Sequence, residues 1–104
     1  MRGYTLHRRM TQKRREWLER LRDHGPAQCG TNVGFHCRHF GWTQWIYEKD
    51  GERKTAEEID TEYGTGGEAY RDGWLMTGME AITDAGRDAL MCGEHKERDD
   101  DVSD

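Results

Sequence analysis

Only twelve of the 104 residues are Leu, Ile, Val or Phe, and that scarcity limits how the chain can fold. A fraction under about 20% together with high charge marks chains that bury too little apolar surface to order themselves. Charged residues make up 36% of the sequence. Four Trp, four Tyr and five Met work against that signature. An aromatic side chain buries about 150–250 Å2, so a few of them can close a small core. The expectation is one domain with a compact middle and frayed ends, since domains run to about 100–200 residues.

Several classes are excluded early. No apolar run approaches the ~20 residues a membrane helix requires. The opening Met-Arg-Gly-Tyr-Thr-Leu-His-Arg-Arg has charge but lacks the apolar stretch of a secretory signal. Cys29, Cys37 and Cys92 are an odd set without a secretory context. They read as reduced thiols of a cytoplasmic protein, not as a disulfide framework.

Charge is unevenly spread. Residues 1–22 hold eight Lys or Arg against Glu16 and Glu19, whereas residues 23–104 hold eight against nineteen Asp or Glu. A basic start on an acidic remainder can mean contact with nucleic acid, and the plainer reading, which is favoured, is a soluble protein with a charged first helix. Residues 94–104 carry six acids and two bases and read as a solvated, disordered end. The expected layout is a basic arm over 1–10, a folded domain over 11–92 and an acidic tail over 93–104.

Local signals predict the elements. Thr11 is a good N-cap, and Trp17, Leu18 and Leu21 follow at helical spacing, with Arg14, Arg15, Glu19 and Arg22 elsewhere on the wheel. Gly25 and Pro26 stop that helix, which is expected over 12–24. Thr31 or Asn32 caps a short second helix whose Val33, Cys37 and Phe40 share a face; Gly41 ends it and Trp42 folds back on its last turn. Segment 43–55 fits two readings: a third helix opened by Thr43, or a hairpin turning at Asp50-Gly51. Thr55-Ala56-Glu57-Glu58 is a capping box, predicting a helix over 56–63 that ends at Gly64. Gly64–Gly67 reads as a flexible link and not as a phosphate loop, because no Lys-Ser/Thr follows it. Tyr70, Trp74, Leu75 and Met76 fall in a stretch without definition, closed by a turn at Gly78. Met79–Ile82 reads as a short strand. Thr83 then caps a last helix over 84–92, with Ala85, Ala89 and Leu90 inward. The predicted core is Trp17, Leu18, Leu21, Val33, Cys37, Phe40, Trp42, Ile46, Ile59, Ile82 and Leu90.

The run Val33…Cys37…Gly41-Trp42-Thr43 after the first helix resembles the spacing of a helix-turn-helix, in which a Gly-apolar-Ser/Thr turn opens the recognition helix. Ile82-Thr83-Asp84-Ala85-Gly86-Arg87-Asp88-Ala89-Leu90 resembles the segment of bacterial winged-helix regulators that leaves the wing strand and enters the closing helix. Together these cover residues 11–48 and 79–92, and the whole chain is similar in size and style to small phage and prophage proteins. The resemblance implies an α+β, helix-rich winged-helix-like domain with a small antiparallel sheet. The capped helix at 56–63 departs from it. So do Glu48, Asp50 and Glu52, which put acid where phosphate contacts belong.

On that resemblance the expected function is a small DNA-binding regulator. Thr43 would open the recognition element and Gln44 would read adenine, whose edge matches an amide. Lys49, Arg53 and Lys54 would meet phosphates, with Arg8, Arg9, Lys13 and Arg14 adding positive charge. The alternative is a phage protein that blocks a host protein, such as a nucleic-acid-handling defence complex, by offering acid to a basic channel. Cys29, His36, Cys37, His39, Cys92 and His95 suggest zinc, but no C-x-x-C pair is present, so no metal or other cofactor is expected. The acids Glu57, Glu58, Asp60 and Glu62 read as a solvated helix face, and no catalytic residue is assigned.

Overall fold

The computed structural model describes residues 8–93. The first seven residues of the expected arm, and the tail from 94 onward, lie outside these described residues. Helix α1 (Gln12–His24) starts where Thr11 accepts the Arg14 amide at 3.2 Å and ends at Gly25, whose φ of 86° lets its amide close on the Leu21 carbonyl. Thr31 caps α2 (Asn32–His39) through the Val33 amide. Gly41, at φ 81°, reverses the chain so that the Trp42 amide reaches the Cys37 carbonyl at 2.9 Å. The Trp42 ring then packs on Phe40, with ring centres 4.9 Å apart.

Segment 43–55 is a hairpin. Strand β1 (Thr43–Lys49) pairs antiparallel with β2 (Glu52–Thr55), with Lys49 opposite Glu52. Asp50 and Gly51 both take positive φ, 53° and 85°, as a two-residue turn matched to strand twist requires. The alternative helix from Thr43 is therefore not formed. Trp45-Ile46-Tyr47 favours a pleated surface, and the turn chemistry decides the segment.

The Thr55–Glu58 capping box forms in both directions and opens α3 (Ala56–Tyr63), which Gly64 terminates. The expected link at Gly64–Gly67 is instead the start of a further helix, α4 (Gly66–Arg71). Thr65 caps it by accepting the Glu68 amide. The undefined stretch and the turn at Gly78 become one strand, β3 (Leu75–Ile82). Gly78 has the positive φ of a turn, 86°, but it sits in a bulge where Thr77–Met79 face the single residue Ile46 of β1. Thr83 accepts the Gly86 amide to open α5 (Asp84–Gly93) and donates to the Gly41 carbonyl.

The sheet order is β2-β1-β3, all antiparallel, and Ala27 adds a one-residue rung on the outer edge of β3 by pairing with Glu80. The class is α+β, as expected. The main core gathers Leu18 and Leu21 of α1, Val33 and Cys37 of α2, Phe40, Trp42, Ile82 and Leu90. A second, smaller core joins Ile59, Ala69 and Trp74, flanked by Tyr47 and Tyr63. Ten of the eleven predicted core residues are buried. The exception is Trp17, which is only partly buried and whose indole N–H donates to Glu80 Oε1 at 3.2 Å. In α5 the inward residue is Gly86, not Ala85: a Cβ there would collide with the Trp42 carbonyl oxygen. Among the described residues no helix is long and apolar enough to cross a membrane.

Candidate nucleic-acid interface

The described chain divides into two charge provinces. Residues 8–42 carry eight Lys or Arg against three acids, whereas residues 43–93 carry five against twelve. The first province is the α1–α2 half, and no acid occurs within α2.

A buried polar network orients this half. Glu80 on β3 is 1% exposed. It accepts from the Trp17 indole of α1 and forms a close ion pair with Arg38 of α2. Gly34 lets α2 approach, since a Cβ at that position would strike the Glu80 carboxylate and Cys29. Arg38 in turn stacks over the Trp45 ring of β1, 3.9 Å from its centre. A second charge, Arg14 of α1, is 4% exposed. It donates to the Arg9 carbonyl at 2.8 Å, contacts His36 Nδ1 at 3.2 Å and lies over the Phe40 ring.

With these anchors set, α2 has a concavity on each side. The larger, about 650 Å3, has Lys13, Trp17, Arg20, Cys29, Val33 and His36 among its walls. The smaller, about 330 Å3, is bounded by Phe35, Arg38, His39, Gln44 and Trp45. Phe35, on the wall of the smaller one, remains 51% exposed.

The residues expected to meet DNA are not gathered in one place. Arg8, Arg9 and Lys13 are exposed on the α1 side, and Arg8 donates to the Phe40 carbonyl at 3.1 Å. Arg14 belongs to the interior and offers no surface to a phosphate, a correction that follows from its packing beneath Phe40. Thr43 is likewise buried, at 4% exposure, as the first residue of β1. Gln44 uses its side-chain oxygen to accept the Glu57 amide at 2.8 Å at the start of α3.

The hairpin cations all have carboxylate partners. Lys49 pairs with Asp72 at 3.3 Å, Arg53 with Glu48 at 3.6 Å and Lys54 with Glu62 at 2.9 Å. The hydrogen bond from Lys54 to Glu62 raises the Lys54 pKa above its ordinary value. The Tyr63 hydroxyl, and after it Lys49, lowers that of Asp72. Sequence reasoning did not place Arg20, Phe35 or Arg38 beside α2 and weighed His39 only as a zinc ligand. The absence of acid from 32–40 was the available signal for that face.

Among the described residues no three His, Cys, Asp or Glu side chains converge as a metal site. The three cysteines form no disulfide: Cys37 is buried in the main core and Cys92 is exposed on α5, while His95 lies outside the described residues. Comparison with protein-family models, with curated proteins and with solved structures finds no match to this chain.

Proposed function

We propose that the chain is a small cytoplasmic DNA-binding regulatory protein of winged-helix type, and that its α1–α2 face meets the duplex. The observation that carries this reading is the separation of charge. The larger concavity beside α2 has Lys13 and Arg20 on its wall against one carboxylate, Glu16, whereas the hairpin cations are paired with acids. In helix-turn-helix proteins one helix crosses the backbone while the next enters the major groove. An α-helix with its side chains is about 10–12 Å across, which fits a major groove about 12 Å wide. The β1–β2 hairpin and the entry into α5 after Thr83 agree with a wing and a closing helix, although the third helix usual in such domains is replaced by β1.

Fluorescence anisotropy with a random duplex pool at low salt tests the reading. With about four phosphates neutralised, log K is expected to fall against log salt with a slope of about −3.6. Replacing Lys13 and Arg20 with Ala should flatten that slope by about 2. Replacing Arg53 and Lys54 should leave it unchanged. No binding at low salt, or a slope that depends on the hairpin pair, overturns the proposal.

One observation favours a second reading. Leu75 and Met76 are 56% and 50% exposed at the start of β3, within the acidic province. An apolar site in an acidic setting suits a host protein with a basic surface. A partner retained from host lysate after nuclease treatment, and lost on Leu75→Asp, would support that alternative.

A further inference from the structure

His36 is 8% exposed and lies along the larger concavity beside α2. Its Nδ1 stands 3.2 Å from Arg14 Nη2. A guanidinium can only donate, so Nδ1 is the acceptor and the neutral ring carries its proton on Nε2. Arg14 is not part of the concavity wall, whereas His36 is. The Nε2 edge of the ring is the one Arg14 does not hold. Among the described residues, no acceptor meets Nε2.

Other features of the same wall favour negative charge. Thr31, Asn32 and Val33 bring the N-terminal end of α2 to it, where the helix dipole is positive. Lys13 and Arg20 of α1 face it from the other side. Glu16 is the one carboxylate on the wall, and its Oε2 is held at 2.9 Å by Gln12 Nε2.

We infer that this concavity seats a phosphate group. The His36 Nε2–H is its fixed neutral donor, Lys13 and Arg20 supply the charge, and the first turn of α2 completes the positive field. Donors arriving from a ring, two flexible cations and a helix end suit a tetrahedral oxyanion better than a planar carboxylate. The phosphate belongs either to a DNA backbone or to a free phosphate compound. Only the first source rests on the function proposed above.

The test is a titration of the full chain with inorganic phosphate, against chloride at equal ionic strength. It is followed by NMR at the His36 ring nitrogens and the amides of residues 31–34. A saturable shift of these signals with phosphate alone is expected. Lys13→Ala combined with Arg20→Ala should weaken phosphate binding by about fivefold, the scale of two exposed charges. His36→Asn keeps an acceptor for Arg14 and removes the Nε2 donor, and should weaken binding as well. Equal shifts with chloride, or variants that bind phosphate as the parent does, overturn the inference.

A DNA arm separates the two sources. Phosphate that competes with duplex DNA for the same signals places a backbone phosphate in the concavity. Phosphate binding without DNA binding keeps the seat, assigns it to a free phosphate compound and removes the DNA reading. DNA binding that leaves His36 and residues 31–34 unmoved, with no saturable phosphate shift, overturns the seat and leaves the DNA reading intact.

Discussion

Nine buried hydrophobic residues close the core shared by α1, α2, β3 and α5, whereas three close the one beneath α3 and α4. The polar groups that accompany each core differ in the same sense. In the larger half the key acid, Glu80, is 1% exposed and receives bonds from two helices. In the smaller half the Trp74 indole donates to the Tyr63 hydroxyl at 2.8 Å, which donates to Asp72 at 2.5 Å, and Asp72 also meets Lys49. That chain ends at a carboxylate whose side chain is 52% exposed. A buried polar network is costly to break, because whatever remains is a charge away from water. A rim network is weakened by water and salt even when intact. The first half should therefore act as a rigid frame, and the second as a unit that opens on its own.

The largest expected effect is at Glu80. Glu80→Ala removes the partner of Arg38 and the acceptor of the Trp17 indole together. A loss of about 3–5 kcal/mol is expected from chemical denaturation, the range for breaking a buried pair. A loss below about 1 kcal/mol would show that the network does not hold the frame.

Next come the core truncations, which test the comparison directly. Leu21→Ala and Ile59→Ala each empty a buried site, and each should cost about 2–5 kcal/mol of local stability. Their reach should differ. In hydrogen exchange, Leu21→Ala should lower protection throughout, while Ile59→Ala should lower it in α3 and α4 and spare α1. Equal loss everywhere from both would mean a single cooperative unit.

Much of the frame could be read from the sequence because its signals are local. Thr11, Gly25, Thr31, Gly41, the Thr55–Glu58 box and Thr83 mark helix ends, and the structure uses each of them. Where glycines enter an element, the reading stopped early. Thr65-Gly66-Gly67-Glu68 repeats the T-x-x-E spacing of a capped helix, but two glycines at the helix start resemble a linker, so α4 was missed. Gly78 hid the continuity of β3 because a bulge and a turn ask for the same φ. The site was less legible. Helical periodicity assigns Arg14 to a polar face, and nothing local announces that Phe40 folds over it. The burial of Glu80 depends on Trp17 and Arg38, which lie 63 and 42 residues away in the chain. Gln44 and the hairpin cations look available in one dimension, and only the fold brings Glu57, Glu62 and Asp72 against them.

Gly86 offers a smaller effect with a single cause. Its approach to the Trp42 carbonyl leaves no room for a methyl group, so Gly86→Ala must push α5 off the frame. A cost of about 1–3 kcal/mol is expected, the range for overpacking. The shift should appear in the Trp42 environment by near-ultraviolet circular dichroism. An alanine variant as stable as the parent would mean that α5 is not docked at that point.

The smallest expected effect is the pH response of the rim chain, and it belongs to the smaller half alone. The hydrogen bond from Tyr63, and then Lys49, lowers the Asp72 pKa, so folding favours the carboxylate. That contribution is present above the ordinary carboxyl range near about pH 4 and is lost as pH falls through the lowered folded value. Asp72 in return raises the Tyr63 pKa, so folding favours the neutral phenol. Its contribution is present below about pH 10 and is lost as pH rises through the raised value. Order around Trp74 should therefore hold between these limits and decline outside them. Asp72→Asn removes the acid limb, and because Asp72 is the leading cause of the tyrosine shift, it should also move the alkaline limb downward. Fluorescence from a variant that keeps Trp74 and replaces Trp17, Trp42 and Trp45 with Phe can follow both limbs, provided circular dichroism shows that it folds. Limbs that remain where they were after Asp72→Asn would place the titrating groups elsewhere and separate the pH response from the α3–α4 unit.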